Sequence, residues 1–584
     1  MKKPMFTLTA VFLFLSSAIL PQAFGMDATV GGEVTTPYPT VANLAVEWLI
    51  EGDENLNGVV TVQYRMAGEG EWRRGMPLRR IPAGKGRTTR RPFFWENRHS
   101  GSIFDLRPGT EYEIRLRLSD PDGGKAEKVV RATTRSIPEP APDAVVKEVN
   151  PRNFQNIALT AQPGDILVLS PGYYGEFTMM RSGEPGKPIV IRADGAHDVI
   201  NSTFDSFSFG GRRHVILEGV TVNGSVDLMR SANVAVRYCT VNAKYGIVAK
   251  EPPGCSNCYI ADNVVTYVMP WVSLGLGAGM DPGGAACVGE GIQITGPGNV
   301  ICYNRVKGYR DCISFMEDLG THTQLCIDVY NNDIYVGADD GIEADFAQGN
   351  CRIMRNRLTN CFMGLSSQPG LGGPTYFIRN VMYNIIDCPY KFSRFSKGDV
   401  VLNNTCIKVG GGFRIVHNPS LAYFRNNLMI GGVGAGRFGR YGSGEPMAMD
   451  FARANETCDM DYDGVGVYGA PFKANVGGKV FDNFEQFRKN TSEKHAVLVD
   501  MNVFAAGVEF PNPAIPEREP VDLRLAPGSA AVDAGVFIPG VNDGFSGSAP
   551  DLGAYELGAD IPHYGPRAKG VDEETLWQSR RGNK

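Results

Sequence analysis

The chain has 584 residues, 43% of them hydrophobic and 21% charged, a globular balance with room for several domains. A formal charge of −5 argues against general nucleic-acid binding. The 71 glycines stand well above the usual share of about 7% and imply many tight turns.

Residues 1–25 carry Lys2 and Lys3, an apolar stretch from Phe6 to Leu20, and then Ala23-Phe24-Gly25, the pattern of a cleaved export signal. No later run is apolar and long enough to span a bilayer. The expected product is exported to the periplasm or beyond, soluble and monomeric. All 12 cysteines lie between Cys239 and Cys458. Export permits disulfides, but Cys302, Cys326 and Cys351 recur at steps of 24 and 25, which favours free, buried thiols stacked at equivalent positions. The Cys255-Ser-Asn-Cys258 pair lacks the second pair or histidine that zinc needs.

Residues 27–136 read as a β-sandwich, because Leu44 to Trp48 and Val60 to Arg65 alternate with period two. The segment Leu106 to Arg117 places Tyr112 where a strand leaves a turn, and so resembles the tyrosine-corner strand of fibronectin type III domains, with Trp48 as their buried tryptophan. The resemblance implies a fold and is nearly silent about function. A basic stretch from Arg73 to Arg98, with Trp72, Phe93, Phe94 and Trp95 interleaved, has two readings: a holder for an anionic glycan, or a charged loop packed on the next domain. Without an acid–base constellation, the sandwich is expected to be dispensable for chemistry. Residues 137–143 form a stiff proline-rich linker.

From 144 to 560 the chain repeats. Asn304, Asn332, Asn356, Asn380 and Asn404 follow one another at steps of 28, 24, 24 and 24, each inside a Val/Ile/Tyr-rich segment. A period near 24 without helical periodicity suits one coil of three short parallel strands, stacked on its neighbours at about 4.8 Å. The asparagines would form a ladder along one turn. Between Asn263 and Asn304 the step is 41, so that coil carries an insertion, Trp271 to Gly289. Ala161 to Tyr174 and Gly186 to Arg192 resemble the opening coil of secreted β-helix proteins of the pectate-lyase type, and Leu523 to Ser529 with Asp551 to Glu556 resemble their closing segment. The implied fold is all-β: a right-handed parallel β-helix behind a fibronectin type III-like sandwich, with residues 561–584 as a C-terminal tail.

A second element recurs in Glu290-Gly-Ile-Gln, Asp311-Cys-Ile-Ser, Asp340-Gly-Ile-Glu-Ala-Asp345 and Met363-Gly-Leu-Ser-Ser-Gln368. With Ile292, Ile313, Ile342 and Leu365 inward, Gln293, Ser314, Glu343, Asp345, Ser366 and Gln368 point outward into a groove. Lys391, Arg394, Arg414 and His417 follow as the basic end of the surface. Carboxylates at Glu290, Asp311 and Asp340 in successive coils raise one another's pKa, so that one is kept as an acid and another as a base. That pairing serves glycoside hydrolysis; turn capping is the structural alternative.

Val288-Gly-Glu290-Gly and, 21 residues on, Arg310-Asp311-Cys312 resemble the Asn-Thr-Asp-Gly and Asp-Asp-Cys elements of the polygalacturonase family, whose Gly-His-Gly and Arg-x-Lys elements do not follow. Glu343 and Asp345 resemble the calcium site of the chondroitinase-B and alginate lyase family, although that family's lysine and arginine fall here at Asn350 and Leu371. The expected function is therefore an exported polysaccharide-degrading enzyme. As a glycoside hydrolase it would use Asp311, Asp340, Glu343 and Asp345 in catalysis, with Gln293, Gln368, Lys391, Arg394, Arg414 and His417 binding substrate. As a polysaccharide lyase it would hold calcium on Glu343 and Asp345 and take Lys391 or Arg394 as base. A glycan-binding rod without catalysis is the third reading. His322 reads as a surface histidine.

Overall fold

The computed structural model describes residues 27–87, 92–195, 201–269, 271, 288–315, 324–434, 437–438, 441–568 and 570–582. The export signal, His322 and most of the Trp271–Gly289 insertion lie outside the described residues. No helix among the described residues is long and apolar enough to cross a membrane.

Residues 29–133 form a seven-stranded antiparallel β-sandwich in the spatial order Thr29–Thr35, Leu44–Gly52, Arg98–Ile103, Arg73–Ile81, Val59–Met66, Glu111–Ser119, Lys125–Thr133. The alternating apolar positions meet in one core around fully buried Trp48, with Val60, Ile114 and Leu116. The Tyr112 hydroxyl accepts the Arg107 backbone N–H at 2.8 Å, tying the strand to the turn before it.

Residues 145–498 form a parallel β-helix. One face is a 13-stranded parallel sheet running from Val145–Val149 to Asp459–Asp461. The other faces form a continuous 21-stranded sheet from Gly172–Thr178 to Val497–Leu498. Coils stack in register: Ile247, Ile292, Ile313, Ile342, Leu365, Tyr390 and Ile415 are successive partners in a buried inward column. Each coil alone would leave strand edges unpaired, so stacking satisfies backbone and buries side chains together.

The asparagine ladder is present. Asn332 donates through Nδ2 to Asn356 Oδ1 at 2.9 Å and to Ile301 O at 3.0 Å, and its backbone N–H reaches Asn356 Oδ1 at 3.0 Å. The same bonds join Asn263, Asn304, Asn356, Asn380, Asn404 and Asn427. The cysteine steps mislead: Cys302 pairs with Tyr330, Cys351 with Thr375, and Cys326 sits in a left-handed turn (φ 55°), so they share no column. The turns between strands vary in length, which lets equal sequence steps land on different corners. The eleven described cysteines are free and buried.

The ladder ends on Asp463, whose Oδ1 accepts from Asn427 N at 2.8 Å and Nδ2 at 2.9 Å. Asp463 and Glu493 are buried together; burial raises Asp463 to about 6, and burial with Asp463 raises Glu493 well above its ordinary value. The folded state therefore keeps protons that the unfolded chain loses near pH 4, so this stabilisation is complete below that pH, and the share from Asp463 is lost as pH rises through about 6. Asp463→Asn retains the acceptor and removes the charge. It is expected to flatten the fall in melting temperature between about pH 4 and pH 6 and to raise it at pH 7; an unchanged pH slope in thermal unfolding would show that Asp463 does not carry this pH dependence.

The sandwich is not a loose module. Asp328 and Arg352 of the β-helix are fully buried and ion-paired, and Asp328 Oδ2 also accepts from Thr40 Oγ1 and from Asn43 Nδ2, the latter at 2.7 Å. Phe104 packs edge-on against Tyr376 with centroids 5.1 Å apart, and Arg355 grips Asp105 through two bonds of 2.8 and 3.0 Å. Much of the basic stretch is spent on structure: Arg80 pairs with Asp53, and Arg79 lies over Tyr423 at 4.2 Å. Beyond the last coil the chain returns along the outside of the helix. There Asn384 and Asn360 bond the carbonyls of Ala514 and Arg518. The C-terminal segment docks rather than trailing, with Arg567 paired to Asp262 at 2.7 Å and Glu573 bonded to Tyr259 and Tyr330 at 2.9 Å.

Candidate active site

A corner in each coil builds the acidic site. Cys312 and Ile313, consecutive residues, both lie in the inner core, and a Cβ on Gly341 would meet the core side chains of Leu358 and Cys361. Two inward residues in a row interrupt the alternation, so the residues flanking them, Asp311 with Ser314 and Asp340 with Glu343, share the outer side. Regular period two would instead have sent Asp340 inward with Ile342.

Glu290 pairs with Asp311, and the neighbouring column runs Gln293, Ser314, Glu343, Ser366, Lys391. The carboxylates of Asp311, Asp340 and Glu343 converge, with one oxygen of each within 4.8 Å of the others. Lys391 Nζ bonds Asp340 Oδ2 and lies 3.4 Å from Glu343 Oε1. On the far side Arg310 faces Asp311 at 3.3 Å and Asp339 at 3.5 Å. Asp311 Oδ1 also accepts the Asp340 backbone N–H at 2.9 Å, while Asp340 Oδ1 finds no hydrogen-bond partner among the described residues.

The expected open groove is not what these residues form. Glu343 and Asp345 are 4% and 0% exposed, and Asp311 and Asp340 are equally buried. Lys391 reaches back across two coils to Asp340 and Glu343. Gln293 and Gln368 are the partly exposed members. Burial has an electrostatic consequence. It lifts Glu290 to about 7 and Asp339 to about 6, and it lifts Asp311 well above the carboxylate range, with Glu290 and Asp339 adding to the effect. Burial followed by Asp345 and Asp311 does the same to Glu343. Burial alone would lower Lys391, but Asp340 and Glu343 outweigh it and hold the ammonium well above its ordinary value.

The remaining residues expected at the site divide. Asp345 belongs to the same strand, but its oxygens accept from Ser366 Oγ at 2.7 Å and Gln368 Nε2 at 3.2 Å. It is not among the three carboxylates that converge closely enough to share a cation, which are Asp311, Asp340 and Glu343. Arg414 is held 3.2 Å from both Asp387 and Asp450, and His417 is exposed in a left-handed turn (φ 73°). Arg394 is exposed beyond the end of the row, over Phe346. Arg310 and Asp339 were missed as site residues, although their place directly before Asp311 and Asp340 was the available signal.

The oxygen-only set Asp311, Asp340 and Glu343 is of the kind a hard cation takes. Here the Lys391 ammonium already lies against two of the three, so the cradle as built fits a lysine rather than a metal ion. No family model and no curated protein matches this chain. Among solved structures it is similar to a family 28 exopolygalacturonase of Yersinia enterocolitica, at 12% sequence identity and a TM-score of 0.35, over 69% of this chain and 95% of that one.

Proposed function

We propose that the chain is an exported polysaccharide-degrading enzyme, a glycoside hydrolase acting at Asp311, Asp340 and Glu343. The observation that carries this is a row of buried, mutually repelling carboxylates in consecutive coils, with a lysine pairing selectively with one end. Asp311, kept protonated by burial and by Glu290, is the proton donor to the leaving oxygen. Asp340, ion-paired with Lys391, is the carboxylate that takes a proton from the attacking water.

The stacking register supports the same reading. Asp311, Asp339-Asp340-Gly341, Met363-Gly364 and Lys391 fall in successive coils. The chain is therefore similar to the polygalacturonase pattern one coil later than the sequence alone suggested, with Asp311 for the first aspartate, Asp339 and Asp340 for the pair, and Lys391 for the lysine of Arg-x-Lys. Met363 stands where that pattern has histidine, and Pro389 where it has arginine.

The test is incubation of the purified chain with neutral and uronic-acid polysaccharides, with and without chelator. Hydrolysis is expected to yield new reducing ends, no ultraviolet-absorbing unsaturated ends, and no response to chelator. Unsaturated products that vanish on chelation would instead select a calcium-dependent lyase, and the absence of any product with a retained glycan would select the binding rod.

A further inference from the structure

A recess lies where the sandwich meets the β-helix, with a volume of about 720 Å³, inside the range of roughly 300–1,000 Å³ typical of small-molecule sites. From the sandwich, the hairpin formed by Gly84–Arg87 and Pro92–Trp95 contributes Lys85 and Trp95. From the β-helix come Arg394, Phe395 and Lys397, with Asn418, Ser420 and Asn455 as polar floor. Three cations line it and, among the described residues, no carboxylate does. Arg394 lies over the Phe346 ring and Lys397 over the Trp95 ring, and none of the three cations is ion-paired with a described carboxylate.

The recess is built, not incidental. Trp95 is 7% exposed, its Nε1 donates to Pro82 O at 3.0 Å, and Lys397 Nζ lies 5.7 Å from its ring centroid. The hairpin can lie this close because Gly86 has no side chain: a Cβ there would sit 2.6 Å from Leu371 Cδ2. Phe395, by contrast, is 67% exposed and offers a free aromatic face. Three connections lead from the acidic row into the wall. Asp345 is followed by Phe346, which packs with Trp95 and Leu371. Gln368, bonded to Asp345, is followed by Pro369 of the lining, and Arg394 comes three residues after Lys391.

We propose that this recess is a subsite for a carboxylate-bearing sugar unit of the polysaccharide whose cleavage takes place at the acidic row. Arg394, Lys397 and Lys85 would bind the carboxylate and Phe395 the apolar face of the ring. The proposal rests on the glycan-degrading reading and adds to it the substrate class, a uronate polymer, and a role for the sandwich as one wall of the binding site.

The experiment is calorimetric titration of the full chain carrying Asp311→Asn, which prevents turnover during the measurement. The probes are an oligogalacturonate, an oligomannuronate and a neutral cello-oligosaccharide of equal length. At least one uronate is expected to bind, and Arg394→Gln with Lys397→Gln is expected to weaken it by about tenfold or more, with neutral binding unmoved. Gly86→Val, which displaces the hairpin without touching a cation, is expected to weaken the same uronate. Equal binding of charged and neutral probes, or uronate binding unaffected by the double variant, would overturn the subsite. Its failure is distinct from failure of the hydrolase reading, which shows as full turnover by the Asp311→Asn chain whatever that chain binds.

Discussion

Asp311→Asn is expected to lower turnover of the cleaved polysaccharide by at least about 10²-fold, the scale of general acid–base catalysis, while leaving the fold intact. The side-chain oxygen of asparagine can still accept the Asp340 backbone N–H that Asp311 Oδ1 accepts at 2.9 Å. The substitution also removes a carboxyl group from a buried set in which Glu290 and Asp339 oppose its ionisation, so the melting temperature is expected to hold or rise. This combination separates catalysis from turn capping, since a cap replaced by asparagine loses neither activity nor stability. Glu343→Gln is the companion. It deprives Lys391 of the second of its two carboxylates, and turnover is again expected to fall by about 10²-fold or more, without recovery in excess calcium. Recovery with calcium would identify Glu343 as a metal ligand, and a lyase using Lys391 would survive Asp311→Asn largely active. Full activity in both folded variants on the natural glycan would refute the site under either mechanism.

Asp328→Ala is expected to destabilise the protein by about 3–5 kcal/mol, because it leaves Arg352 as a buried charge without its counter-ion. Both residues are wholly inaccessible, and Asp328 also holds Thr40 and Asn43 of the sandwich. The midpoint of chemical denaturation should fall accordingly, with Asp328→Asn giving a smaller loss. Deletion of residues 27–143 goes further. It strips the same partners from Asp328 and uncovers Tyr376, against which Phe104 packs. The truncated chain is therefore expected to be aggregation-prone, not a stable enzyme with weakened polymer affinity. A soluble β-helix fragment with unchanged unfolding behaviour would restore the view of the sandwich as a detachable module.

Much of the architecture is written in local periodicity. The step of 24 between Asn332, Asn356 and Asn380 locates one corner of each coil, and a ladder follows because every coil presents the same amide at the same height. The inward run Ile313, Ile342 and Leu365 follows from apolar residues each directly followed by a polar one, and Tyr112 marks its own turn. These features depend on contacts between a residue and its copy one repeat away, so a single sequence contains all the information they need.

The site needed more than that. Gln293, Ser314, Glu343 and Ser366 are assignable to one column from the repeated hydrophobic residue beside them, but Lys391 joins that column only because the turns before it have the lengths they do. Asp340 and Glu343 face the same way because the backbone bends at Gly341, an event that alternation alone would not produce. Their burial, and the raised affinity of Glu343 for protons, depends on coils and charges packed tens of residues away. The recess between Trp95 and Arg394 joins residues some 300 positions apart. By itself the sequence determined the coil, its ladder and the chemical types on each face, since these repeat within a short stretch of chain. Tertiary structure alone decided which charges touch and how dry they are, because distance and solvation in a stacked coil are set by turn lengths and by the docked sandwich, which no repeat encodes.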